Sequence, residues 1–269
     1  MHAFSYHRPG STKDALSLGS QKPEARYLAG GQSLVQAMKL RLSSPSDLID
    51  LGGLQELKTL KVEGNSVTIG AMVRHAEVAS SSAIQKAIPA LAKLAGIIGD
   101  RQVRNMGTIG GSLANSDPAA DYPAAALGLA ATITTNKRRI EADKFFTGLY
   151  ETALEPGELI TSVTFQVPKR AAYMKFKNPA SRFAIVGVFV AAFGEDRKNE
   201  VRVAVTGAGP CAFRQADMEK ALAAKFAPES VASIKVKQEG LNNDLHASPE
   251  YRAHLITVMA KRAVEAALK

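Results

Sequence analysis

A chain of 269 residues is long enough to bury an extensive core and predicts two or three domains. Hydrophobic residues make up 46% and charged residues 22% of the chain, as is ordinary for a soluble globular protein. No apolar run approaches the roughly 20 residues of a bilayer span, and the N-terminus has no signal-peptide pattern, so we expect a cytoplasmic protein. The single cysteine, Cys211, excludes an internal disulfide and a cysteine-ligated cluster, and the five scattered histidines predict no metal site.

The formal net charge of +9 raises the question of a nucleic-acid partner. Lysines and arginines are dispersed, however, and the chain has no tryptophan and only 6% aromatic residues for base stacking. We therefore expect no nucleic-acid binding, and a basic surface that meets an acidic partner or an anionic cofactor.

The chain opens with a pattern of short strands and helices. A strand is predicted around residues 4–6 and a helix from Ser11, which offers a cap to Asp14. A second strand at residues 27–29 leads into the first glycine segment, defined as residues 28–34 and containing Gly30 and Gly31. A helix then opens at Ser33, with apolar residues recurring every four positions up to Leu42.

The middle of the chain mixes helices and strands. Residues 66–71 alternate like a half-buried strand, and residues 75–98 have a helical pattern in which Pro89 must begin or kink a helix. The second glycine segment, defined as residues 107–113, contains Gly110 and Gly111. Glycine lets the backbone approach a ligand closely, and exposed N–H groups cradle phosphate oxygens, so two such segments favour a bound diphosphate. A tight turn without a ligand is the alternative for either segment alone.

Strands dominate the rest of the chain. Asp117 and Pro118 form a good N-cap and first-turn pair, and three strands at residues 131–135, 138–142 and 159–167 are predicted to form an antiparallel sheet. We place a domain boundary at residues 168–170. Three further strands are expected at 173–177, 183–193 and 201–206, followed by helices at 215–225, 229–234 and from Ser248 to the end.

Three blocks of the sequence resemble the FAD-binding medium subunits of molybdenum hydroxylases, the xanthine dehydrogenase and aerobic carbon monoxide dehydrogenase family. They are the segment AGGQSL at 29–34, the segment NMGTIGGSL at 105–113 continuing to DPAAD at 117–121, and KFKNPASR at 175–182. The second block is the most specific, and the three together extend the resemblance over essentially the whole chain. Gln32 and Ser112 depart from residues common in relatives but keep the capacity for hydrogen bonding.

The resemblance implies an α+β protein in two parts. An FAD-binding domain of the vanillyl-alcohol-oxidase type would span residues 1–170, with a small α/β lobe at 1–53 and a larger α+β lobe at 54–170. A smaller α+β domain with a three-stranded antiparallel sheet and helices would span residues 171–269.

The resemblance also implies the cofactor contacts. Both glycine segments would embrace the FAD diphosphate, Asp121 would contact the flavin or ribityl part, Ile98 and Ile160 would pack on the cofactor, and Lys177 would lie close to the flavin. Plain core packing is the alternative for the two isoleucines, and a solvated strand lysine for Lys177. The full set of expected cofactor contacts is Leu28, Ala29, Gly30, Gly31, Gln32, Ser33, Leu34, Ile98, Thr108, Ile109, Gly110, Gly111, Ser112, Asp121, Ile160 and Lys177.

The resemblance therefore predicts an electron-transfer subunit. Electrons would pass from [2Fe-2S] clusters on a small partner subunit to FAD on this chain and then to an external acceptor, while a large partner holds the molybdenum cofactor, in an expected dimer of heterotrimers. The chain has no acid–base or nucleophile constellation, so no catalytic residue is assigned and the flavin would carry the chemistry. The alternatives are a free-standing FAD-dependent oxidoreductase with its own organic substrate and a non-enzymatic interaction module.

Overall fold

A small parallel sheet forms the first part of the chain in the computed structural model, which describes residues 1–269. Strands and helices alternate in the order β1 (Ser5–His7), α1 (Thr12–Gln21), β2 (Arg26–Leu28), α2 (Leu34–Lys39) and β3 (Asp47–Asp50). β3 lies in the centre and pairs in parallel with both β1 and β2. The sheet therefore places the carboxyl-terminal ends of β2 and β3 side by side, with Leu28 opposite Asp50.

The ends of the first two helices show how well local signals predict boundaries. The Ser11 hydroxyl accepts the backbone N–H of Asp14, as the capping pattern predicts. α2 is shorter than predicted, because Arg41 takes a left-handed φ of 59° and ends the helical path. Leu42 consequently lies beyond the helix and is 78% exposed, so its predicted place on the apolar stripe was wrong.

A set of six short helices follows the next two strands. The strands are β4 (Leu60–Glu63) and β5 (Ser66–Gly70), and a 3-10 turn at Gln55–Lys58 precedes them. The helices are α3 (His75–Ser80), α4 (Ser82–Ala87), α5 (Pro89–Gly96), α6 (Arg101–Met106), α7 (Ile109–Asn115) and α8 (Tyr122–Gly128). Pro89 begins α5, as its missing N–H allows.

The predicted antiparallel sheet is present and has five strands in the order β4–β5–β10–β6–β7. Its remaining strands are β6 (Thr132–Thr135), β7 (Arg139–Glu141) and β10 (Ile160–Gln166). A 3-10 turn at Ala142–Lys144 and a two-stranded ribbon, β8 (Phe146–Gly148) with β9 (Glu151–Thr152), lie between β7 and β10.

The last third of the chain packs three helices with an antiparallel sheet. Its elements are β11 (Arg170–Lys177), β12 (Ala184–Ala192), a 3-10 turn at Glu195–Arg197, β13 (Val201–Thr206), β14 (Phe213–Arg214), α9 (Ala216–Ala224), α10 (Glu229–Ala232) and α11 (Pro249–Ala267). The sheet has four strands in the order β11–β12–β13–β14, so the expectation of three strands was wrong. The fourth strand has only two residues, which is too short to show a periodic pattern.

Strand β12 is buried on both faces. Phe189 and Ala191 belong to the large core formed with α3, α4, α5, α7, α8 and the five-stranded sheet, whereas Val188 and Val190 belong to the core beneath α11. Successive side chains of a strand point to opposite faces, so one strand contributes to both cores. Apolar packing thus continues between the parts of the chain before and after residues 168–170, where the boundary was predicted.

Candidate cofactor site

The two glycine segments meet, backbone against backbone. A Cβ atom on Gly30 would overlap the carbonyl group of Met106, and one on Gly111 would lie 3.5 Å from the Cβ of Ala29. β2 delivers the first segment to this place and α6 delivers the second. Glycine is required at position 30 because only a residue without a side chain permits this approach.

The first glycine segment leaves its backbone donors open. None of the N–H groups of Ala29 through Leu34 donates a hydrogen bond within the chain, and the first donor to do so is Val35, to the Gly31 carbonyl at 3.1 Å. Gly31 has a left-handed φ of 70°. Consecutive free N–H groups beside a left-handed residue form a concave donor surface that suits phosphate oxygens.

The second glycine segment is not an equivalent cradle. Its N–H groups are mostly used: Ile109 donates to the Val73 carbonyl at 3.1 Å and Gly110 to the Ala71 carbonyl at 2.9 Å. The Thr108 hydroxyl accepts the N–H of Gly111 at 3.2 Å and caps α7. The residues predicted as a turn therefore form the start of a helix, and of residues 108–112 only Thr108 keeps a free backbone N–H.

Gly110 has a structural reason of its own. A Cβ atom there would lie 2.5 Å from the Cβ of Ala71 and 2.8 Å from its carbonyl oxygen. This glycine lets α7 pack directly on the end of β5, and the residue itself is buried. The absence of its side chain therefore serves packing between two elements.

A positively charged cleft of about 230 Å³ lies where the two segments meet. Its lining includes Gly30 and Thr108 together with the three cations Arg8, Lys58 and Arg74 and one carboxylate, Asp50. Asp50 accepts the Tyr6 hydroxyl and the Gly52 N–H at 2.8 Å, and lies 3.8 Å from the Arg8 guanidinium. Arg74 is exposed, and its guanidinium has no hydrogen-bond or ion-pair partner. The cleft thus has an excess of positive charge and suits a dianionic diphosphate.

Sequence motifs did not identify these three cations. Arg8 follows β1, Lys58 ends the 3-10 turn after β3, and Arg74 precedes α3. They are distant in sequence and have no characteristic spacing, so no local pattern could have brought them together.

Asp121 is buried at the start of α8. Its carboxylate oxygens accept the Tyr173 hydroxyl at 2.5 Å and the Lys175 ammonium at 3.0 Å. Burial raises the pKa of Asp121, and the charge of Lys175 and both hydrogen bonds oppose that rise. Asp121 is therefore one end of an ion pair between α8 and β11.

The remaining predicted residues lie in different surroundings. Ile160 is 3% exposed and belongs to the large core, whereas Ile98 is half-buried and packs against its edge. Lys177 is exposed at the end of β11, beyond an irregularity in its pairing with β12, and makes no ion pair. Gln32 and Ser112 are half-buried, and neither side chain has a hydrogen-bond partner within the chain.

Asp117 does not begin a helix, so the prediction of an N-cap there was wrong. Its carboxylate accepts the N–H of Ala119 at 2.8 Å and closes a turn, and α8 starts only at Tyr122. Aspartate before proline stabilises tight turns by the same hydrogen bond that caps a helix, and the two outcomes share one local sequence.

Both parts of the chain match families of known proteins. Residues 2–169 match the family described as FAD binding domain in molybdopterin dehydrogenase, and residues 171–267 match the CO dehydrogenase flavoprotein C-terminal domain. The carbon monoxide dehydrogenase medium chain of Hydrogenophaga pseudoflava is 35% identical over 98% of this chain and 96% of its own. The nicotine 6-hydroxylase medium subunit of Paenarthrobacter nicotinovorans is also 35% identical, over 97% of this chain and 96% of its own.

Solved structures agree with the sequence matches. A carbon monoxide dehydrogenase structure from Hydrogenophaga pseudoflava matches with a TM-score of 0.88 and 33% identity, covering 99% of this chain and 98% of that chain. The quinoline 2-oxidoreductase of Pseudomonas putida 86 matches with a TM-score of 0.90 and 29% identity, covering 99% and 97% of the two chains. Fold, cleft and relatives together define an FAD-binding oxidoreductase subunit. The chain belongs to the family of FAD-binding medium subunits of molybdenum hydroxylases, which confirms the predicted resemblance.

The residues present fit an FAD diphosphate. The open N–H groups of Ala29 through Leu34, the three cations of the cleft and the close approach at Gly30 supply donors, charge and space.

None of the helices combines the length and apolar composition needed to cross a membrane.

Proposed function

We propose that this chain is the electron-transfer subunit of a molybdenum-containing hydroxylase, in which it carries FAD, accepts electrons from the iron–sulfur clusters of a small partner subunit and passes them to an external acceptor. The observation that carries the proposal is the run of open N–H groups from Ala29 to Leu34 beside a cationic cleft, in a chain of this family. When bound, FAD supplies a redox centre that exchanges one or two electrons.

The first glycine segment would hold the diphosphate. We assign this role to the backbone of residues 28–34, with Thr108 closing the opposite side and Arg74 supplying an unpaired positive charge. The first residues of α7 would support the same end of the site, since they fix the helix against β5 and against Ala29. These residues are Ile109, Gly110, Gly111 and Ser112. Phosphate oxygens are stabilised by such donors and cations without any proton transfer.

The other end of the cofactor would lie towards the start of α8 and the end of β11. We assign contacts there to Asp121, Ile98 and Lys177, with Ile160 forming the floor from within the core. Asp121 is buried and paired with Lys175, which fixes the position of its carboxylate at this end. No side chain of this end is assigned a proton transfer.

The assembly we propose is a dimer of heterotrimers with a large subunit that holds the molybdenum cofactor and a small iron–sulfur subunit. Relatives are named as the medium chain of carbon monoxide dehydrogenase and the medium subunit of nicotine 6-hydroxylase, which supports a larger and a smaller partner subunit. The division of the chain that we propose is residues 1–170 for FAD, comprising lobes at 1–53 and 54–170, and residues 171–269 for the C-terminal domain. The cytoplasm is the proposed location.

FAD binding is tested by titrating the purified chain with FAD and following the quenching of flavin fluorescence. We expect Gly31→Ala to weaken binding at least tenfold, because alanine is strained at a φ of 70° and its Cβ would lie 2.9 Å from Val35. Gly64→Ala is the matched control: it also has a positive φ of 54°, with no atom within 4 Å of an added Cβ. Equal affinities for both variants would contradict the assignment of the first glycine segment.

The proposed assembly is tested by purifying a tagged chain from its native cells. We expect molybdenum, iron and FAD to co-purify in a fixed ratio, and the particle mass to equal that of a dimer of heterotrimers. Purification of the chain alone, with FAD but without metals and with activity on an organic substrate, would favour a free-standing oxidoreductase instead.

A further inference from the structure

We infer that Lys175 is a positioning residue for the flavin end of the cofactor: through its buried ammonium group, the C-terminal sheet holds two segments of the FAD-binding region in place. The inference rests on the proposed function. It begins from burial, since the side chain of Lys175 is only 2% exposed and that of Asp121 only 4%. A lysine buried this deeply is retained only where its charge is paired and its donors are used.

The donors of Lys175 are shared between two segments. Its Nζ donates to Asp121 Oδ2 at 3.0 Å and to the backbone carbonyl of Ile97 at 3.2 Å. Asp121 immediately precedes α8, and Ile97 immediately follows α5 and precedes Ile98. One ammonium group on β11 thereby ties together both segments that are assigned to the flavin end.

The opposite oxygen of Asp121 is held by the same strand. Tyr173 donates its hydroxyl to Asp121 Oδ1 at 2.5 Å, and an added Cβ on Gly187 of β12 would overlap that hydroxyl. Tyr173 and Lys175 are two residues apart and share one face of β11, so the strand presents two donors to one carboxylate. Absence of a side chain at Gly187 leaves room for this arrangement.

The loop that follows Ile97 is anchored from a second direction. The Arg104 guanidinium donates to the carbonyl oxygens of Ile98 at 3.0 Å and Gly99 at 3.3 Å, and Gly99 has a left-handed φ of 48°. Arg104 belongs to α6, within the FAD-binding part, whereas Lys175 belongs to the C-terminal part. Loss of Lys175 would therefore release Ile97 and the Asp121 carboxylate, while Arg104 would still hold Ile98 and Gly99.

Lys169 provides a control immediately before the same strand. It has the same charge as Lys175, but it is exposed, has no hydrogen-bond or ion-pair partner, and is assigned no contact with the cofactor. The position of the flavin end should therefore depend on Lys175 through the contacts to Asp121 and Ile97, which Lys169 does not make.

The test compares Lys175→Met with Lys169→Met by titrating the full-length chain with two probes. FAD reports on the whole site, whereas ADP reports only on the diphosphate end. We expect Lys175→Met to weaken FAD binding at least tenfold and ADP binding less than twofold, and to change the visible circular dichroism of bound flavin. Lys169→Met should leave the circular dichroism of bound flavin unchanged, and Lys175→Arg should retain most of the FAD affinity.

Removal of Lys175 alone leaves a buried carboxylate unpaired, which destabilises the folded chain. The double variant Asp121→Asn with Lys175→Met removes both charges and is measured in parallel, with thermal unfolding by far-ultraviolet circular dichroism as the check on folding. Equal loss of FAD and ADP affinity in a folded variant would overturn the inference, as would wild-type FAD affinity with an unchanged flavin spectrum. Failure of the wild-type chain to bind FAD would instead contradict the proposed function.

Discussion

At the scale of single residues, the glycines of the two segments perform different tasks. Gly30 allows the two segments to touch, Gly31 supplies a left-handed turn, and Gly110 lets α7 pack on Ala71. Gly111 has more space, since an added Cβ would lie 3.0 Å from the Thr108 hydroxyl oxygen and 3.5 Å from Ala29. Substitutions at these positions should therefore separate stability from cofactor binding.

The first prediction compares Gly110→Ala with Gly111→Ala. Overpacking against the backbone of Ala71 should make Gly110→Ala cost about 1–3 kcal/mol in the free energy of unfolding. Gly111→Ala should change that free energy by less than about 1 kcal/mol, because the helix propensity gained offsets the tighter contact. It should also weaken FAD binding, because the added Cβ would crowd Thr108, which is assigned to the diphosphate site. Denaturant unfolding and FAD titration measure the two quantities.

Gly96→Ala in α5 is the control for helix propensity, since only Ala79 lies near its added Cβ, at 3.9 Å. Equal stability of Gly110→Ala and Gly96→Ala would contradict the packing role of Gly110.

A second residue-scale prediction concerns His75, which is buried behind the second glycine segment. Burial lowers the pKa of His75 from 6.5 to about 4, with the charge of Arg104 contributing, and its Nδ1 atom has no hydrogen-bond partner. Between pH 6.5 and 4, His75 is protonated in the unfolded chain but neutral in the folded chain. The free energy of unfolding therefore falls as the pH falls through this range. The full shift corresponds to about 3 kcal/mol.

His75→Leu should remove this dependence. The difference in free energy of unfolding between wild type and His75→Leu is measured by urea unfolding at intervals from pH 7 to pH 4. We expect the stability of the wild type relative to His75→Leu to decrease as the pH falls. A difference that stays constant with pH would show that His75 does not titrate as a buried base.

At the scale of elements, helix ends are decided mostly by short polar signals. The Ser248 hydroxyl accepts the N–H of Tyr251 at 3.2 Å, Pro249 occupies the first turn of α11, and Leu255 and Met259 pack into the core beneath α11. The helix covers the C-terminal sheet, so fraying of its first turn loosens a large apolar surface.

Ser248→Ala should cost about 1 kcal/mol in the free energy of unfolding, because it removes an N-cap acceptor. Ser233→Ala is the control, since Ser233 is exposed after α10 and its hydroxyl makes no hydrogen bond. Thermal and denaturant unfolding of both variants measure the cost, and equal stabilities would exclude a capping role for Ser248.

At the scale of the whole molecule, the two parts share a core. Phe189 is fully buried in the large core although its strand belongs to the C-terminal sheet, and the buried Arg202 of β13 donates to the Leu127 carbonyl at 3.0 Å and to Asp143. An isolated C-terminal part would expose this face of β12 and β13 to water. The two parts should therefore unfold together.

Phe189→Ala tests this coupling. We expect a cost of about 3–5 kcal/mol and a single calorimetric transition for both wild type and variant, because the cavity affects one shared core. Phe183→Ala, at a side chain that is 47% exposed, is the control. Two separate transitions in the wild type, with only the later part of the chain affected by Phe189→Ala, would show that the parts are independent.

The sequence by itself determined the order and type of most elements, the caps at Ser11 and Ser248 and the location of the first glycine segment. These features rest on contacts within a few residues, so local pattern contains the needed information. The residues that resemble the family were sufficient to identify it. The two-residue strand β14 and the early end of α2 were not predicted, because pairing at a sheet edge and a left-handed Arg41 leave no periodic signal.

Only the tertiary structure decided how the two glycine segments differ. The carbonyls of Ala71 and Val73 use the N–H groups of the second segment, and nothing in the sequence shows that these residues lie beside it. The same holds for the gathering of Arg8, Lys58 and Arg74 and for the choice of Lys175 over Lys177 as the buried cation. Burial and pairing depend on which distant elements meet, and that is fixed by the packing of the whole chain.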